Sequence, residues 1–225
     1  MLLSTAYLPP VEWFALVARE MKIVTQRDSG PGCVSSSPVW LEACENYQKQ
    51  SWRNRFRFAA AEGPESLSIP VVHDGRGEGI PIREVKIDWS VGWPVRHQRA
   101  IASAYSSSPY FEFYRDGLFE AMDSRPDCLF DYNLLIIRYL IGKLGLVADI
   151  RLTEEYTVPG VPGPYGEDFR EAIHPKRANA VLRSLDLEKP YYQVFARKYG
   201  FTRNLSVLDL LFNEGPDSVF WLYKV

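Results

Sequence analysis

Leu2-Leu3-Ser4-Thr5-Ala6-Tyr7-Leu8, followed by Pro9-Pro10 and then by Val11 to Met21, is the stretch that decides the fold. Leu2 to Leu8 is short and apolar, as a buried strand is. Pro9-Pro10 ends it, because proline fixes φ and offers no backbone donor. Val11, Phe14, Ala15, Ala18 and Met21 then recur at helical spacing. Strand, proline turn and helix open an α/β unit, and Val39 to Cys44 supplies its second strand. Between them Asp28 to Pro38 is a loop by composition, with Gly, Pro and four Ser and no periodicity.

Further along, Trp52 to Phe58 alternates strictly. Arg53, Arg55 and Arg57 fall on one side, and Trp52, Asn54, Phe56 and Phe58 on the other. Gly63-Pro64 turns the chain into Ser66 to Val72, the expected hairpin partner. A turn at Gly75 to Gly79 and a strand at Ile80 to Ile87 follow. The middle is helical. Val95 to Tyr105 forms one helix, and a second runs to about Met122 with Ser108 as N-cap and Pro109 at its first position. A third, capped by Asp127, carries Leu129, Asn133, Ile136, Ile137, Leu140 and Leu144 on one face and stops at Gly145. Val147 to Thr153 reads as a strand, Val158 to Gly166 as a loop or lid, Ser206 to Phe212 as a short helix and Phe220 to Val225 as a terminal strand. The expectation is a single mixed α/β domain over residues 1–225, with an N-terminal β-α-β unit, antiparallel hairpin strands and a central helical segment.

Composition limits the function classes. The chain has 225 residues, 46% of them hydrophobic, enough for a core without disulfide or metal staples. Lys plus Arg total 26 against 28 Asp plus Glu, a net charge of -2, which argues against a general nucleic-acid binder. Cys33, Cys44 and Cys128 are odd in number and widely spaced, and His73, His97 and His174 have no ligand spacing, so neither disulfide framework nor metal site is expected. The first residues lack the basic-then-apolar pattern of a secretory signal, and no apolar run approaches the roughly 18 residues that span a bilayer. A cytoplasmic protein without membrane insertion is expected. There is no Gly-x-Ser-x-Gly, no Gly-rich phosphate loop and no dinucleotide fingerprint, so no cofactor is expected either. The oligomeric state is not set by the sequence.

Four blocks together resemble the WbqC-like family. They are Ser4 to Pro10 with Trp13-Phe14; Glu45-Asn46-Tyr47-Gln48-Lys49-Gln50-Ser51-Trp52-Arg53-Asn54-Arg55; Ala104-Tyr105 through Ser108-Pro109-Tyr110-Phe111 with His97 upstream; and Tyr192-Gln193-Val194-Phe195 with Asn204 through Pro216. Family members pass quickly from first helix to second strand, so residues 25–38 look like an insertion. The family takes its name from bacterial gene clusters that build surface polysaccharide (O-antigen). The resemblance therefore implies a setting, and the chemistry must come from the residues.

On a strand, Arg53, Arg55 and Arg57 would stand about 6.5–7 Å apart, either as a ladder for phosphate or as a solvated outer face. Lys49, Arg53 and Arg55 are the phosphate candidates. Tyr7, Tyr47 and Trp52 are candidates to stack on a base or sugar, and Tyr105 joins them as a substrate-binding candidate. Asn54, Gln48, Gln193, Asn204 and Asn213 either brace backbone or fix hydroxyls. His97 is the acid/base candidate, with a hydrogen-bonded helix-face histidine as the other reading. Asp209 is a second catalytic candidate, although Ser206-x-x-Asp209 has nearly the spacing of a capping box. The functional expectation is a group-transfer enzyme acting on a small anionic or nucleotide-activated sugar. The alternative is a non-catalytic binding or scaffolding protein of the same pathway.

Overall fold

The computed structural model describes residues 1–23, 34–72, 79–161, 163–177, 180–187 and 189–223. Its strands are β1 (Leu2–Ser4), β2 (Met21–Ile23), β3 (Val34–Ser36), β4 (Pro38–Glu42), β5 (Arg55–Ala60), β6 (Gly63–Ser68) and β7 (Asp149–Leu152). Its helices are α1 (Val11–Arg19), α2 (Trp93–Tyr105), α3 (Phe111–Asp123), α4 (Leu129–Lys143), α5 (Ala180–Ser184), α6 (Ala196–Tyr199), α7 (Val207–Glu214) and α8 (Ser218–Leu222). The chain is mixed α/β, as the opening stretch dictates.

β1, β4 and β7 form a parallel sheet in that order, with Leu3 opposite Leu41 and Leu41 opposite Leu152. Parallel neighbours need a crossover, and α1 supplies it. A single parallel bridge, Leu2 to Asp168, adds the segment around 167–169 on the far side of β1. Leu2, Leu3, Val39 and Leu41 are all buried, the apolar run that a parallel sheet requires. α1 is buried all round from Val11 to Ala18 and packs against α5, α7 and α8. Its first turn has no side-chain cap of its own. Instead the Val11 N–H donates to the Leu205 carbonyl at 2.9 Å and the Glu12 N–H to Asn204 Oδ1 at 3.1 Å. A distant loop thus satisfies the orphan donors of the helix.

The hairpin pairs β5 with β6, Phe56 opposite Leu67. Phe56 and Phe58 point into the core as the alternation requires, and α2 packs on β5, with α3 against both α2 and α4. α7 touches α1, α3 and β5 and so joins the two halves. Backbone hydrogen bonds tie the chain segments at this junction: Tyr7 N–H to Trp52 O at 2.9 Å, Ser206 N–H to Arg57 O at 2.7 Å and Val207 N–H to Pro9 O at 2.9 Å.

Several boundaries differ from expectation. Trp52, Arg53 and Asn54 form a turn before β5 begins at Arg55, so Arg53 leaves the ladder and only Arg55 and Arg57 share the strand face. Ile80–Ile87 is a 3₁₀ turn at Ile82–Glu84 flanked by single bridges, because Pro81 has no N–H for a continuous ladder. α3 starts at Phe111, and its cap position is Tyr110 rather than Ser108. Cys128, not Asp127, precedes α4. Of the expected terminal strand Phe220–Val225, residues 220–222 belong to α8, which follows directly from a 3₁₀ turn at Gly215–Asp217 and packs on α1, and residues 224–225 lie outside the described residues. The expected insertion at 25–38 lies outside the described residues over 25–33, as do Cys33, His73 and most of the turn at Gly75–Gly79. Residues Val34–Ser36 pair antiparallel with Met21–Ile23.

Gly215 is fixed by two independent constraints. Its φ is 56°, and an added Cβ would lie 2.6 Å from the Tyr110 ring. Gly215→Ala is expected to lose about 2–4 kcal/mol, combining left-handed backbone strain with overpacking, measured by urea unfolding.

Candidate functional site

The carboxyl ends of the parallel strands carry a buried cluster of charge. Ser4 ends β1, Glu42 ends β4, Thr153 follows β7, and Arg170 follows the Asp168 bridge. Glu42 is fully buried. It accepts from Cys44 N–H at 3.0 Å, Thr153 Oγ1 at 2.7 Å, Thr157 N–H at 3.3 Å and Arg170 Nη1 at 3.0 Å. Arg170 also grips Asp168 through Nε at 3.0 Å and Nη2 at 2.7 Å. Burial disfavours the Arg170 charge, but Asp168, Glu42 and Glu45 outweigh it and hold its pKa up. Burial likewise works against the Asp168 carboxylate, and its hydrogen bonds from Arg170 more than reverse this, so its pKa is lowered.

Glu45 sits beside this group. Arg53 approaches it with Nε at 2.8 Å and with Nη2, while its other contacts run from Nη1 to Gln48 Oε1 at 3.1 Å and from Nη2 to Ser4 Oγ at 2.8 Å. Ser4 Oγ in turn donates to Glu45 Oε2 at 3.1 Å. Both side chains of the Arg53–Glu45 pair are almost wholly enclosed. Burial raises the Glu45 pKa, opposed by Arg53 and Ser4.

A narrow crevice opens here, lined by Ser4, Thr5, Ala6, Trp13, Trp52, Arg53, Phe169, Arg170 and Ile173. It admits little more than a water molecule in this state. Chain order runs from β1 to β4 to β7 in one direction and then returns to the other side of β1 at Asp168. The crevice lies at that reversal, beyond the strand carboxyl ends, where open α/β sheets bind ligands. Thr5 and Trp52 both line it, and Thr5 Oγ1 and Trp52 Nε1 are buried without a hydrogen-bond partner among the described residues.

The other candidates fall in separate places. Tyr47 is half-buried close to Arg53 and Arg55. Burial raises its hydroxyl pKa against the pull of those two cations. Lys49 is exposed on the same loop, and Arg55 Nε donates to Ser68 Oγ at 3.2 Å. The Asn54 side chain donates to Ile69 O at 2.9 Å, bracing the turn.

Tyr7 and His97 share the aromatic core. The Tyr7 hydroxyl lies 3.0 Å from His97 Nδ1, with Trp93 and Phe56 around the imidazole. Burial first, then Arg96, pushes the His97 pKa down to about 4, against a hydrogen bond to the Ser68 backbone. The ring is neutral at physiological pH.

A third group surrounds Asp209. Tyr191 Oη and Gln193 Nε2 each donate to its Oδ2 at 2.7 Å, and burial lifts the carboxyl to about 6 against hydrogen bonds from Tyr191, Gln193 and Tyr105. Ser206 caps α7, accepting from the Leu208 N–H at 3.4 Å, whereas Asp209 turns to Tyr191 and Gln193 instead of back toward Ser206. Gln193 also exchanges hydrogen bonds with the Thr202 backbone, Asn213 donates to Asp209 O, and Asn204 caps α1. Of the sequence-derived site residues, Trp52 and Arg53 line the crevice and Gln48 reaches it through Arg53. Tyr7, His97, Tyr105, Gln193, Asn204, Asp209 and Asn213 do not line it. Glu42, Asp168 and Arg170 were missed, and Ser4, Thr5 and Glu45 had a signal only in the quoted blocks.

The model of the WbqC-like protein family matches residues 34–163. The chain belongs to that family. The match includes Glu42, Glu45, Trp52 and Arg53 of this WbqC-like site, while Ser4, Thr5 and Arg170 lie outside it. The uncharacterized protein Rv1507c of Mycobacterium tuberculosis is 24% identical over 197 residues, 78% of this chain and 83% of the relative. No solved structure matches the chain. Among the described residues, no helix is long and apolar enough to cross a membrane, and no group of three or more His, Cys, Asp or Glu side chains is placed to hold a metal ion.

Proposed function

We propose that this WbqC-like chain is a cytoplasmic enzyme of bacterial surface-polysaccharide assembly that transfers a group on a nucleotide-activated or otherwise anionic sugar. The reading takes the crevice at the carboxyl edge of the sheet as the substrate site. The observation that carries it is the pair of buried, unpartnered polar atoms, Thr5 Oγ1 and Trp52 Nε1, beside two enclosed guanidiniums. Unpaired polar atoms also occur elsewhere in the core, as at Trp93 and Ser108, and what singles this pair out is that both residues line one crevice together with Arg53 and Arg170, where a ligand would pair them. Arg53 and Trp52 hold the substrate, with Tyr47, Lys49 and Arg55 on the neighbouring loop and strand available to its charged portion. The polysaccharide setting rests on the family's name.

A nucleotide sugar at about 100 times its dissociation constant should add about 2.7 kcal/mol of apparent stability. For a domain of this size that is a rise of about 5–10 °C in Tm. Thr5→Val and Trp52→Phe should each reduce the rise. If no anionic sugar moves Tm, the enzyme reading fails.

A second reading is favoured by one feature. His97 and Asp209, the groups best suited to proton transfer, are each engaged by neighbouring side chains away from the crevice. On this reading the chain binds a ligand or partner of the pathway without turning it over. Binding without product release in the same screen selects it.

A further inference from the structure

We propose that the crevice beyond β1 receives one small neutral carbonyl group of the substrate, an N-acyl (acetamido-type) substituent on a sugar, in preference to a phosphate or carboxylate. This rests on reading the crevice as a sugar site.

The donors define the complementary atom. An indole N–H can only donate, and Trp52 Nε1 has no acceptor among the described residues. A guanidinium carries five N–H groups. Arg53 engages four with Glu45, Gln48 and Ser4, and Arg170 engages three with Asp168 and Glu42. Ser4 Oγ is occupied in both directions, and Trp13 Nε1 donates to Ser4 O at 3.1 Å, leaving only its ring to the crevice. What remains is donor-rich and calls for an acceptor oxygen.

Charge decides which oxygen. Two guanidiniums, Arg53 and Arg170, face three carboxylates, Glu42, Glu45 and Asp168, within hydrogen-bonding contact. The cluster has no positive excess, so the arginines act as hydrogen-bond donors and not as an attracting field. A dianionic phosphate would be desolvated beside three carboxylates with little return, which a neutral carbonyl avoids. Shape agrees. Ala6, Trp13, Phe169 and Ile173 give apolar walls that suit an acyl methyl. The crevice is nearly closed in this state, so it can take no whole ligand, and its walls must part to receive even a substituent.

The test uses ¹⁵N-labelled full-length chain and the indole N–H resonances of its six tryptophans, assigned by triple-resonance spectra. N-acetylglucosamine should shift the Trp52 indole signal saturably, at lower concentration than glucose, glucuronate or inorganic phosphate. Thr5→Val should weaken that binding about 5- to 10-fold, the value of one hydrogen bond. An equal or stronger response to phosphate or glucuronate overturns the proposal in favour of an anion site. A Trp52 signal unmoved by every probe overturns it altogether. Uridine-diphosphate sugars with and without the acetamido group separate this claim from the enzyme reading. Equal binding of both removes the acyl subsite and leaves the enzyme. Binding of N-acetylglucosamine alone keeps the subsite and removes the nucleotide-activated substrate.

Discussion

Replacing Arg170 by methionine should destabilise the native state by about 3–5 kcal/mol, read as a lowered urea midpoint. The Arg170 side chain is 2% exposed and that of its partner Glu42 is 0% exposed. Methionine fills much of the same space, so the loss is not chiefly a cavity. It is the Glu42 carboxylate left in the interior with only Thr153 and two backbone N–H groups to offset it. The paired variant Glu42→Gln with Arg170→Met should recover the part of the loss that belongs to Glu42, because removing both charges removes that desolvation penalty together with the attraction, while Asp168 still lacks its two hydrogen bonds from the Arg170 guanidinium. A double variant no better than Arg170→Met alone would mean that packing, not charge, holds this edge of the sheet. Arg177→Met supplies the contrast. Its partner Glu171 and Arg177 itself are both about half exposed, so the change should stay within about 0.5 kcal/mol.

That cluster also marks where local sequence stops informing. The strand, proline turn and α1 were legible because each obeys a short-range rule of apolar run, breaker or helical spacing. The alternation at Trp52 to Phe58 was real, but its first three residues, Trp52 to Asn54, form a turn. Trp52 and Asn54 are buried for reasons of their own, one against the crevice and one bracing Ile69, and they imitate a strand face. The end of the chain failed differently: Phe220 to Tyr223 looks like a strand by composition, yet α8 packs on α1 instead. Arg170 lies 128 residues from Glu42, and only the parallel sheet brings them together. No local pattern could announce that pair. His97 and Asp209 stood out as ionisable groups in apolar surroundings, and that same pattern is produced by a polar group satisfied inside a core.

Glu12→Gln should make stability less dependent on pH. Glu12 is 2% exposed on α1, and its Oε2 has no partner among the described residues. Burial raises its pKa to about 7, with the Asn204 side chain pulling the other way. Because the folded pKa exceeds the unfolded value near 4.5, the native state binds the proton more tightly. Its contribution is fully present below the unfolded pKa and is lost as pH rises through about 7. At about 1.36 kcal/mol per unit, wild type should lose about 2–3 kcal/mol from this group between pH 5 and 8.5. Asp209, raised to about 6, adds a slope of the same sign at lower pH, and it is shared by both proteins. The variant should therefore match wild type near pH 5 and exceed it at pH 8.5, by less than the full amount because the new amide is itself buried. Urea unfolding at the two pH values measures the difference. Parallel pH profiles for the two proteins would show that Glu12 is charged and well solvated in the native chain, and that Asn204 and Leu205 alone secure the start of α1.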